Sequence, residues 1–504
     1  MSPPSMDWIA AFDIGSSAVK AALVSRDGRL HHARTIAYPA SALPPGEQDP
    51  RDWWQAFTQV LQGWWADGVA PASIAALSFS GQMQDLIALD AQGEPVRAAI
   101  LYSDARAADA AHAAEQHLGV DEIHRVTRNP FNASSVLPKL LHLRDIEPAV
   151  WAATARVLFG AKDFITLRLT GRAACDPTTA ATTGLFDIER GAWALAWLAA
   201  LQLPAGLLPE LMAAGAQVGA VSARAAADTG LRAGCPVLCG LGDAAATTLG
   251  AGVVDASQCY AYLGTSGWVA CVSGRFNTPG APLFVLPYLA LERRILIGPV
   301  SNAGAVHRWA LDLLDAGMPE PMRYAAFERA VSAAAPDARL LFLPYLAAER
   351  LPVATAAAQG TLSGISAATT RAQIMRAALE GVSLSLRCAF DVLQGQPGAA
   401  PPSELIVVGG ATHSAAWMQI LADAFDTRLR IAADADLLPC LGVAATAAAA
   451  IGWCATPEAF VQQRRSSAER FVAANAVGAA LLKEKSAAWR ALQMAIVRLP
   501  FPPR

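Results

Sequence analysis

The sequence carries little charge and almost no charge imbalance. Only 16% of its 504 residues are Asp, Glu, Lys or Arg, and the formal net charge is -3. Proteins that bind the phosphate backbone of nucleic acids need a strongly basic surface, so we predict no nucleic-acid partner. Hydrophobic residues make up 54% of the chain. That share is enough for large cores and argues against intrinsic disorder.

Features of a secretory leader and of a membrane span are also missing. Asp7 and Asp13 interrupt the N-terminal apolar stretch, where a signal peptide has a basic region followed by an unbroken apolar run. The longest uncharged stretch, 437–457, is rich in Ala and contains Pro439 and Gly442. It therefore predicts a buried helix of small residues rather than a transmembrane helix. We predict a cytoplasmic protein with no membrane partner.

Several well-known functional motifs do not occur. The sequence has no GxxxxGK[ST] phosphate loop, no GxSxG nucleophile turn, no HExxH and no CxxC pair. The absence of these motifs excludes P-loop nucleoside triphosphatases, serine hydrolases with a nucleophile elbow and zinc sites with the usual ligand spacing. The eight cysteines are predicted to be reduced thiols in the core.

A chain of this length exceeds what one hydrophobic core supports. A strand, a turn of small residues and a second strand occur near the N-terminus, and the same pattern returns past the middle of the chain. The first turn is Gly15, Ser16 and Ser17, and the second is Gly264, Thr265 and Ser266. This repetition predicts a duplicated α/β domain. We place the two domains at residues 1–250 and 251–504.

Two further segments of the first half have clear patterns. Asp49 followed by Pro50 predicts a helix start, and tryptophans at helical spacing predict a long amphipathic helix whose Trp53 faces the core. The strand at 74–79 is predicted to lead into a polar loop at 80–85. Loops between buried strands often carry function.

The two small-residue turns suggest a polyphosphate site. Gly, Ser and Thr at a hairpin tip let backbone N–H groups approach an anion closely, and two such tips could hold the phosphates of ATP. Asp13 ends the strand before the first tip, where a carboxylate can orient Mg²⁺ or its waters. An Asp just before a Gly turn is also common as a plain turn residue.

Asp243 follows the turn Gly240–Gly242 and begins a predicted helix. The helix dipole favours an ionised carboxylate there. One interpretation is a simple helix cap. The other is a catalytic base that orients an acceptor hydroxyl in phosphoryl transfer, for which a carboxylate of ordinary pKa suffices. Removing the carboxylate alone separates the two.

The same glycines permit another interpretation. Gly240, Gly242 and Ala245 match the dinucleotide-binding pattern GxGxxA, which would indicate a dehydrogenase. Against it, Asp243 would bring a negative charge close to the pyrophosphate. The next acidic residue, Asp255, also comes too soon after the glycines to bind the ribose.

Ten motifs taken together resemble the FGGY carbohydrate kinase family, and within it the xylulokinases. In chain order they are DIGSS (13–17), EQDPRDWW (47–54), SGQMQD (80–85), YSDAR (102–106), KDFITLRLTG (162–171), GLGDAAATTLGAG (240–252), GTSG (264–267), FLPYLAAERLP (342–352), RAALEGV (376–382) and GGATHSAAWMQILAD (409–423). The resemblance spans nearly the whole chain. It implies two actin-like, ribonuclease H-like domains with the active site in the cleft between them.

The resemblance also implies roles for single residues. Asp243 would be the base, and Asp13 together with Asp243 would hold Mg²⁺ of the Mg²⁺-ATP substrate. The ATP contacts would come from Gly15, Ser16, Ser17, Gly264, Thr265 and Ser266 at the phosphates and from Gly409, Gly410 and Ala411 at the adenosine. The sugar would lie near Met83, Gln84, Asp104 and Asp243, with residues around Trp53 lining its pocket. A homodimer is compatible with the resemblance, although no sequence feature predicts one.

The chain departs from the family pattern at the sugar loop. Many xylulokinases read GQMHG where this chain has Gln82-Met83-Gln84-Asp85, and WNDxR where it has YSDAR at 102–106. Sites built for one hydroxyl pattern can reject another strongly. The resemblance makes D-xylulose the first candidate acceptor. The departures leave L-xylulose, ribulose, gluconate or a polyol as alternatives. An actin-like ATPase or a sugar-sensing module would share the fold but would turn over ATP without any sugar.

Overall fold

The computed structural model describes residues 7–278, 281–314, 317–347, 349, 351, 359–432, 434–464 and 469–499. They form two compact units, each built from separate stretches of chain. Unit 1 comprises Met1–Val254, Val285–Ile295 and Leu437–Arg465, and unit 2 comprises Asp255–Phe284, Leu296–Asp436 and Ser466–Arg504. The linear division into 1–250 and 251–504 stays a prediction. The motif at 342–352 lies partly outside the described residues.

The elements of the first half of the chain alternate between short strands and helices. The strands are β1 (Trp8–Ile14), β2 (Ala18–Val24), β3 (Leu30–Ala37), β4 (Glu47–Gln48), β5 (Ile74–Gly81), β6 (Met83–Leu89), β7 (Ala99–Ile100), β8 (Arg156–Gly160), β9 (Ala174–Cys175), β10 (Phe186–Asp187), β11 (Ala192–Trp193), β12 (Glu210–Leu211), β13 (Gln217–Ala220), β14 (Pro236–Leu238) and β15 (Leu241–Gly242). The helices are α1 (Pro50–Ala66), α2 (Ala108–Leu118), α3 (Val120–Thr127), α4 (Val136–Ile146), α5 (Pro148–Ala153), α6 (Ala161–Thr170), α7 (Pro177–Ala181), α8 (Leu195–Ala200), α9 (Ala223–Thr229) and α10 (Asp243–Gly250).

The second half has longer helices. Its strands are β16 (Cys259–Leu263), β17 (Gly267–Ser273), β18 (Phe284–Tyr288), β19 (Ala290–Val300), β20 (Leu341–Leu343), β21 (Thr361–Ser363), β22 (Leu405–Val408), β23 (Leu429–Ile431) and β24 (Arg470–Val472). Its helices are α11 (Gly304–Leu314), α12 (Glu320–Ala333), α13 (Arg371–Gln394), α14 (Ala415–Phe425), α15 (Leu438–Ala450), α16 (Pro457–Gln463) and α17 (Ala476–Val497). Short 3₁₀ helices lie at Pro71–Ser73, Ala205–Leu207 and Gly410–His413.

Each unit contains a mixed sheet. In unit 1 the strand order is β13-β14-β5-β1-β2-β3, with β15 also paired to β5. Strands β1 and β2 are antiparallel, whereas β5 runs parallel to β1, β14 and β15. In the second large sheet the order is β18-β19-β17-β16-β22-β23-β24, with an antiparallel β16–β17 hairpin and β22 parallel to β16. The hairpins predicted at the start of each half are confirmed.

Helix α1 covers one face of the unit 1 sheet. The Asp49 side chain caps it by accepting from the backbone N–H of Arg51, and Pro50 occupies the first turn. Trp53 is fully buried, and the ring of Phe57 packs 4.9 Å from that of Phe12 in β1. The predicted amphipathic helix is therefore confirmed. Aromatic burial of this size is a dominant stabilising term in a core.

Helix α15 brings the C-terminal segment back into unit 1. A Cβ on Gly442 would lie 2.0 Å from the carbonyl oxygen of Ala246, and a Cβ on Gly250 would lie 1.9 Å from that of Leu438. Only glycine permits such a close approach of α15 to α10. The prediction of a buried small-residue helix here is confirmed. Across the described ranges, no helix is both long enough and apolar enough to span a bilayer.

Two expectations from the sequence are wrong. The predicted loop at 80–85 does not exist, because β5 extends to Gly81 and β6 begins at Met83, so that Gln82 alone separates them. Pairing with β1 and β15 extends β5 through residues that look loop-like in isolation. The cysteines are also not all reduced, since Cys259 and Cys271 lie opposite each other in the β16–β17 hairpin and are joined by a disulfide.

Candidate active site

The carboxyl ends of three strands bring two acidic residues together in unit 1. Asp13 of β1 lies opposite Ser80 of β5, and Leu241 of β15 lies opposite the same serine. Asp243 follows two residues later at the start of α10. Because β1 and β15 both run parallel to β5, their ends meet at one edge of the sheet, where ligands of α/β proteins bind. The structure thus places Asp13 and Asp243 at the same edge.

Burial gives these carboxylates unusual electrostatics. It raises the pKa of Asp243 from 3.8 to about 7, and the negative charges of Asp13 and Asp176 act in the same direction. Burial also raises the pKa of Asp13, against the opposing effect of Lys20. The Oδ1 atom of Asp13 is buried without a hydrogen-bond partner. Neighbouring carboxylates with raised pKa values are frequent at functional sites.

Asp243 does not occupy the N-cap position of α10. Gly242 is the N-cap residue, and Asp243 is the first residue of the helix. The backbone N–H of Ala244 lowers the pKa of Asp243, but burial outweighs it. The expected ionisation by the helix dipole is therefore not the dominant effect on this carboxyl.

The glycines before Asp243 are explained by packing. Gly240 has a φ of +72°, and a Cβ there would lie 1.9 Å from the carbonyl oxygen of Phe79. A Cβ on Gly242 would lie 2.0 Å from the sulfur of Met83. These contacts account for both glycines without a pyrophosphate, which disfavours the dinucleotide-binding interpretation. They also place Met83 directly against the residue that precedes Asp243.

The first hairpin tip leaves polar groups exposed. The N–H of Gly15 donates to the carbonyl of Ala18, and the hydroxyl of Tyr38 donates to the carbonyl of Gly15 at 2.9 Å. Ser16 and Ser17 are exposed. The tip is thus braced from behind while its serine side chains face solvent, as a phosphate-binding turn requires.

Gln84 and Asp85 surround a buried cation. Lys139 is fully buried, and its Nζ donates to the carbonyl of Gln84 at 3.0 Å and to that of Leu101 at 2.7 Å. Asp85 is also fully buried, and its Oδ1 accepts from the N–H of Tyr102 at 3.1 Å. Burial raises the pKa of Asp85 to about 8, although Lys139 opposes this. The Asp85 carboxyl therefore lies close to Lys139 and anchors the 101–104 turn through the Tyr102 N–H.

The backbone of Gln84 has a left-handed φ of 68°, a conformation that L-residues seldom adopt outside functional or tightly packed sites.

Asp104 is the second polar residue predicted to contact sugar. Its two oxygens accept from Nε and NH2 of Arg106 at 2.9 Å and 2.8 Å. Burial opposes ionisation of Asp104, but these bonds lower its pKa overall. The N–H of Asp104 donates to Leu101, so Asp104 lies in the turn that Lys139 also contacts.

Trp53 itself does not line an open pocket. Its Nε1 donates to Oε1 of Gln48 at 3.0 Å, and Nε2 of Gln82 donates to the same oxygen at 2.9 Å. The tryptophan therefore supports Gln82, the residue between β5 and β6, through Gln48 from within the core.

Sequence reasoning missed a buried ion cluster next to Asp243. It consists of Lys162, Asp163 and Asp176, with Nζ of Lys162 at 2.6 Å from Asp163 and 2.9 Å from Asp176. Two signals were visible. Lys162 and Asp163 are adjacent charges directly before the apolar pair Phe164 and Ile165, and Asp176 precedes Pro177 as an N-cap residue does. Neither signal reveals that these side chains meet.

The second hairpin tip lies beside the glycine motif of β22 in unit 2. Strands β16 and β22 are parallel, so Gly264, Thr265 and Ser266 leave the same sheet edge as Gly409, Gly410 and Ala411. Gly409 has a φ of +99°, and a Cβ on it would lie 2.6 Å from the carbonyl oxygen of Leu263. Gly410 and Thr265 are exposed. The structure thus brings the predicted phosphate and adenosine residues of this unit together.

The N-terminus of α11 braces this second tip. The N–H of Gly304 donates to the carbonyl of Gly264 at 2.9 Å, and that of Ala305 donates to the carbonyl of Thr265 at 3.0 Å. Rings of Tyr262 and Trp268 stack 3.9 Å apart across the hairpin below it. A fixed tip can present its N–H groups to an anion without reorganising.

Comparison with known proteins supports this geometry. Residues 8–250 match the N-terminal domain model of the FGGY family of carbohydrate kinases, and residues 259–451 match its C-terminal domain model. The chain is 32% identical over 436 residues to the xylulose kinase of Escherichia coli, covering 86% of this chain and 88% of that protein.

Solved structures show the same fold. The xylulose kinase of Lactobacillus acidophilus superposes with a TM-score of 0.87 at 24% identity, over 97% of this chain and 98% of that one. The gluconate kinase of the same organism superposes with a TM-score of 0.86 at 24% identity, with the same coverage. These similarities confirm the two-domain, actin-like α/β fold.

Proposed function

Since this chain belongs to the FGGY family of carbohydrate kinases, we propose that it transfers the γ-phosphoryl group of ATP to D-xylulose. The products are D-xylulose 5-phosphate and ADP. The observation that carries the site assignment is the convergence of Asp13 and Asp243 at one sheet edge, with burial raising the pKa of both carboxyls. The 32% identity to a xylulose kinase supports the choice of sugar.

Asp243 acts as the base. Its carboxylate accepts the proton of the sugar 5-hydroxyl while the oxygen of that hydroxyl bonds to the γ-phosphorus and the bond from phosphorus to the β,γ-bridging oxygen breaks. In a loose transition state the proton leaves late, so the base mainly orients the hydroxyl. A base with a pKa near 7 is well matched to transfer at neutral pH.

The acidic edge suits a divalent cation. Oδ1 of Asp13 is buried and lacks a hydrogen-bond partner, and the charge of Asp13 raises the pKa of Asp243. A cation would satisfy the orphaned oxygen and relieve the repulsion. We assign Mg²⁺ to Asp13 with support from Asp243. When bound, Mg²⁺ supplies positive charge to the phosphates of ATP.

The nucleotide contacts fall on two tips and one glycine motif. Backbone N–H groups and hydroxyls of Ser16, Ser17, Thr265 and Ser266 bind phosphate oxygens. Gly15 and Gly264, whose own N–H groups donate within the tips, contribute by letting a phosphate approach the backbone. The stretch Gly409–Ala411 receives the adenosine, because the absence of side chains on Gly409 and Gly410 lets a planar group approach the backbone. ATP and a sugar are therefore the two small-molecule partners, and we place the reaction in the cytoplasm, where ATP is available.

The sugar lies against Met83 and Gln84, with Asp104 in the neighbouring turn. The unusual Asp85 does not itself argue for a different sugar. Its contacts with Tyr102 and the charge of Lys139 occupy it within the protein, so the departure at this position is explained by packing. The change from His to Gln at residue 84 keeps hydrogen-bonding capacity and leaves D-xylulose as the best-supported acceptor.

A single experiment tests the function. ADP release would be measured with Mg²⁺-ATP against D-xylulose, L-xylulose, ribulose, gluconate and polyols, for the wild type, Asp243→Asn and the exposed control Asp228→Asn. We expect D-xylulose to give the highest kcat/KM, Asp243→Asn to lose at least about a hundredfold in kcat, and the control to match the wild type.

Other results would change the assignment. Strong stimulation by gluconate or a polyol would move the substrate to another member of the family. Equal ATP hydrolysis with and without every sugar, unaffected by Asp243→Asn, would refute the kinase function in favour of an ATPase.

A further inference from the structure

The buried ion cluster of Lys162, Asp163 and Asp176 lies directly behind the loop that carries Asp243. All three residues are at most 1% exposed. Taking one ammonium and two carboxylates out of water is expensive. Specific interactions have to offset this cost. The contacts of the three side chains show which segment of the chain they hold in place.

Two of the three residues contact the ends of the segment Cys239–Gly242 (the 239–242 loop), which consists of a two-residue turn followed by strand β15. Nζ of Lys162 donates to the carbonyl of Cys239 at 3.2 Å, and Oδ2 of Asp176 accepts from the N–H of Gly242 at 3.3 Å. The salt bridge between Lys162 and Asp176 measures 2.9 Å. The first and last residues of the loop are thus tied to one ion pair, and Asp243 follows at once.

The ion pair is itself fixed in place. Oδ2 of Asp176 also accepts from the backbone N–H groups of Thr178 and Thr179 at the start of α7, and Oδ1 accepts from the hydroxyl of Thr179 at 2.6 Å. Asp176 therefore uses both oxygens, and it cannot shift without losing several bonds. A rigid anchor of this kind is what a precisely oriented catalytic group requires.

We propose that Lys162 and Asp176 form a clamp that positions the Asp243 carboxylate for its contact with the acceptor hydroxyl. They are positioning residues, since their contacts reach Asp243 through the loop backbone. The proposal rests on the proposed function, in which Asp243 is the base. It makes the clamp necessary for the rate of phosphoryl transfer and dispensable for substrate binding.

Asp163 provides a matched control. It shares Lys162 with Asp176 and is also buried, but its carboxyl interacts with Nζ of Lys162 and with the backbone N–H of Gly160, and neither contact involves the 239–242 loop. Its Oδ2 has no hydrogen-bond partner. An Asn at 163 can keep the bond to Lys162 through its carbonyl oxygen. An Asn at 176 cannot keep both the contact with Lys162 and the contact with the Gly242 N–H. Its NH₂ group must face either Lys162 or the backbone N–H groups of the 239–242 loop and α7.

The test compares Asp176→Asn, Asp163→Asn and Asp243→Asn by steady-state kinetics with Mg²⁺-ATP and D-xylulose, well below the lowest melting temperature. We expect Asp176→Asn to lower kcat by about 30-fold or more while both KM values stay within about threefold of the wild type. Asp163→Asn should stay within about threefold in all three constants. A purely structural role would lower the melting temperature without separating kcat from KM.

A second variant tests the Lys162 arm. The double variant Lys162→Met with Asp163→Asn removes the bond to Cys239 but keeps the same net charge in the cluster, since one ammonium and one carboxylate are lost together. Asp176 retains its bond to Gly242. We expect kcat to fall about tenfold relative to Asp163→Asn alone.

The outcomes separate the two proposals. If Asp243→Asn is inactive while Asp176→Asn matches Asp163→Asn, the clamp is refuted and the base assignment stands. If Asp243→Asn remains active, the base assignment itself fails. If Asp176→Asn does not fold, the double variant decides, and an unchanged kcat there overturns the clamp. Failure of both to fold, with Asp163→Asn folded, would assign the ion pair a purely structural role.

Discussion

Replacing Asp243 by Asn should make the protein more stable at pH 8 while it abolishes activity. Burial raises the pKa of this carboxyl from 3.8 to about 7, which means that the fold disfavours its ionised form. A group whose pKa is higher in the folded than in the unfolded state costs no stability below the unfolded value. Its penalty grows as pH rises from about 4 to 7 and is constant above that.

The size of the effect follows from the pKa difference. A difference of roughly three corresponds to about 4 kcal/mol. Asp243 keeps some contact with solvent, and screening there reduces the penalty, so we expect a gain of about 1–3 kcal/mol for the Asn variant at pH 8. Near pH 4 the variant and the wild type should be equally stable, because the wild-type carboxyl is then neutral in the fold.

The measurement is thermal unfolding of both proteins at pH 4.5 and pH 8, without nucleotide and with a chelator present. For domains of this size, 1 kcal/mol corresponds to about 2–4 °C in Tm, so the variant should melt higher by about 2–12 °C at pH 8 only. Equal melting temperatures at pH 8 would show that the carboxylate is not destabilised by burial. A gain of the same size at both pH values would point to packing rather than charge.

Three further predictions concern other parts of the molecule. Gly409→Ala should weaken ATP binding by about 1–3 kcal/mol in calorimetric titration, because its φ is +99° and its Cβ would meet Leu263. Gly274→Ala, which has open space around it and lies outside the proposed nucleotide contacts, is the control, and equal losses in both would contradict this reason. Asp85→Gly should destabilise the fold by about 1–3 kcal/mol more than Asp85→Asn in urea unfolding, since Asn keeps an acceptor for the Tyr102 N–H; the reverse order would refute this. Chelating Mg²⁺ should abolish sugar-stimulated ADP release and excess Mg²⁺ should restore it, whereas undiminished turnover in the chelator would remove the metal from the mechanism.

Local chemistry made much of unit 1 predictable. The capping Asp49 with Pro50 and the apolar spacing of α1 depend on neighbouring residues only, and the structure has them as predicted. The β1–β2 hairpin, whose tip begins at Gly15, also depends mainly on neighbouring residues. The polar segment 80–85 was mispredicted because its strand character comes from pairing with β1 and β15, which lie far away in the sequence.

The candidate site was likewise only partly predictable from the sequence. Asp13 and Asp243 could be singled out because each follows a strand and borders a glycine turn, and the ordered motifs indicated the family. That the two carboxylates meet, and that burial raises the pKa of Asp243, depends on how three strands align at one sheet edge. Electrostatic effects of that kind are set by distance and solvent exposure, which a linear pattern does not contain.

The sequence by itself thus determined the element types, the small-residue turns and membership of a carbohydrate kinase family. Only the tertiary structure decided the partners of its buried charges. Lys162 forms a salt bridge with Asp176 and donates a hydrogen bond to the carbonyl of Cys239, which lies further along the chain. Cys259 forms a disulfide with Cys271 across a hairpin. Secondary structure follows from neighbours in the chain, whereas charges and thiols in a core are paired by packing between segments that are distant in sequence.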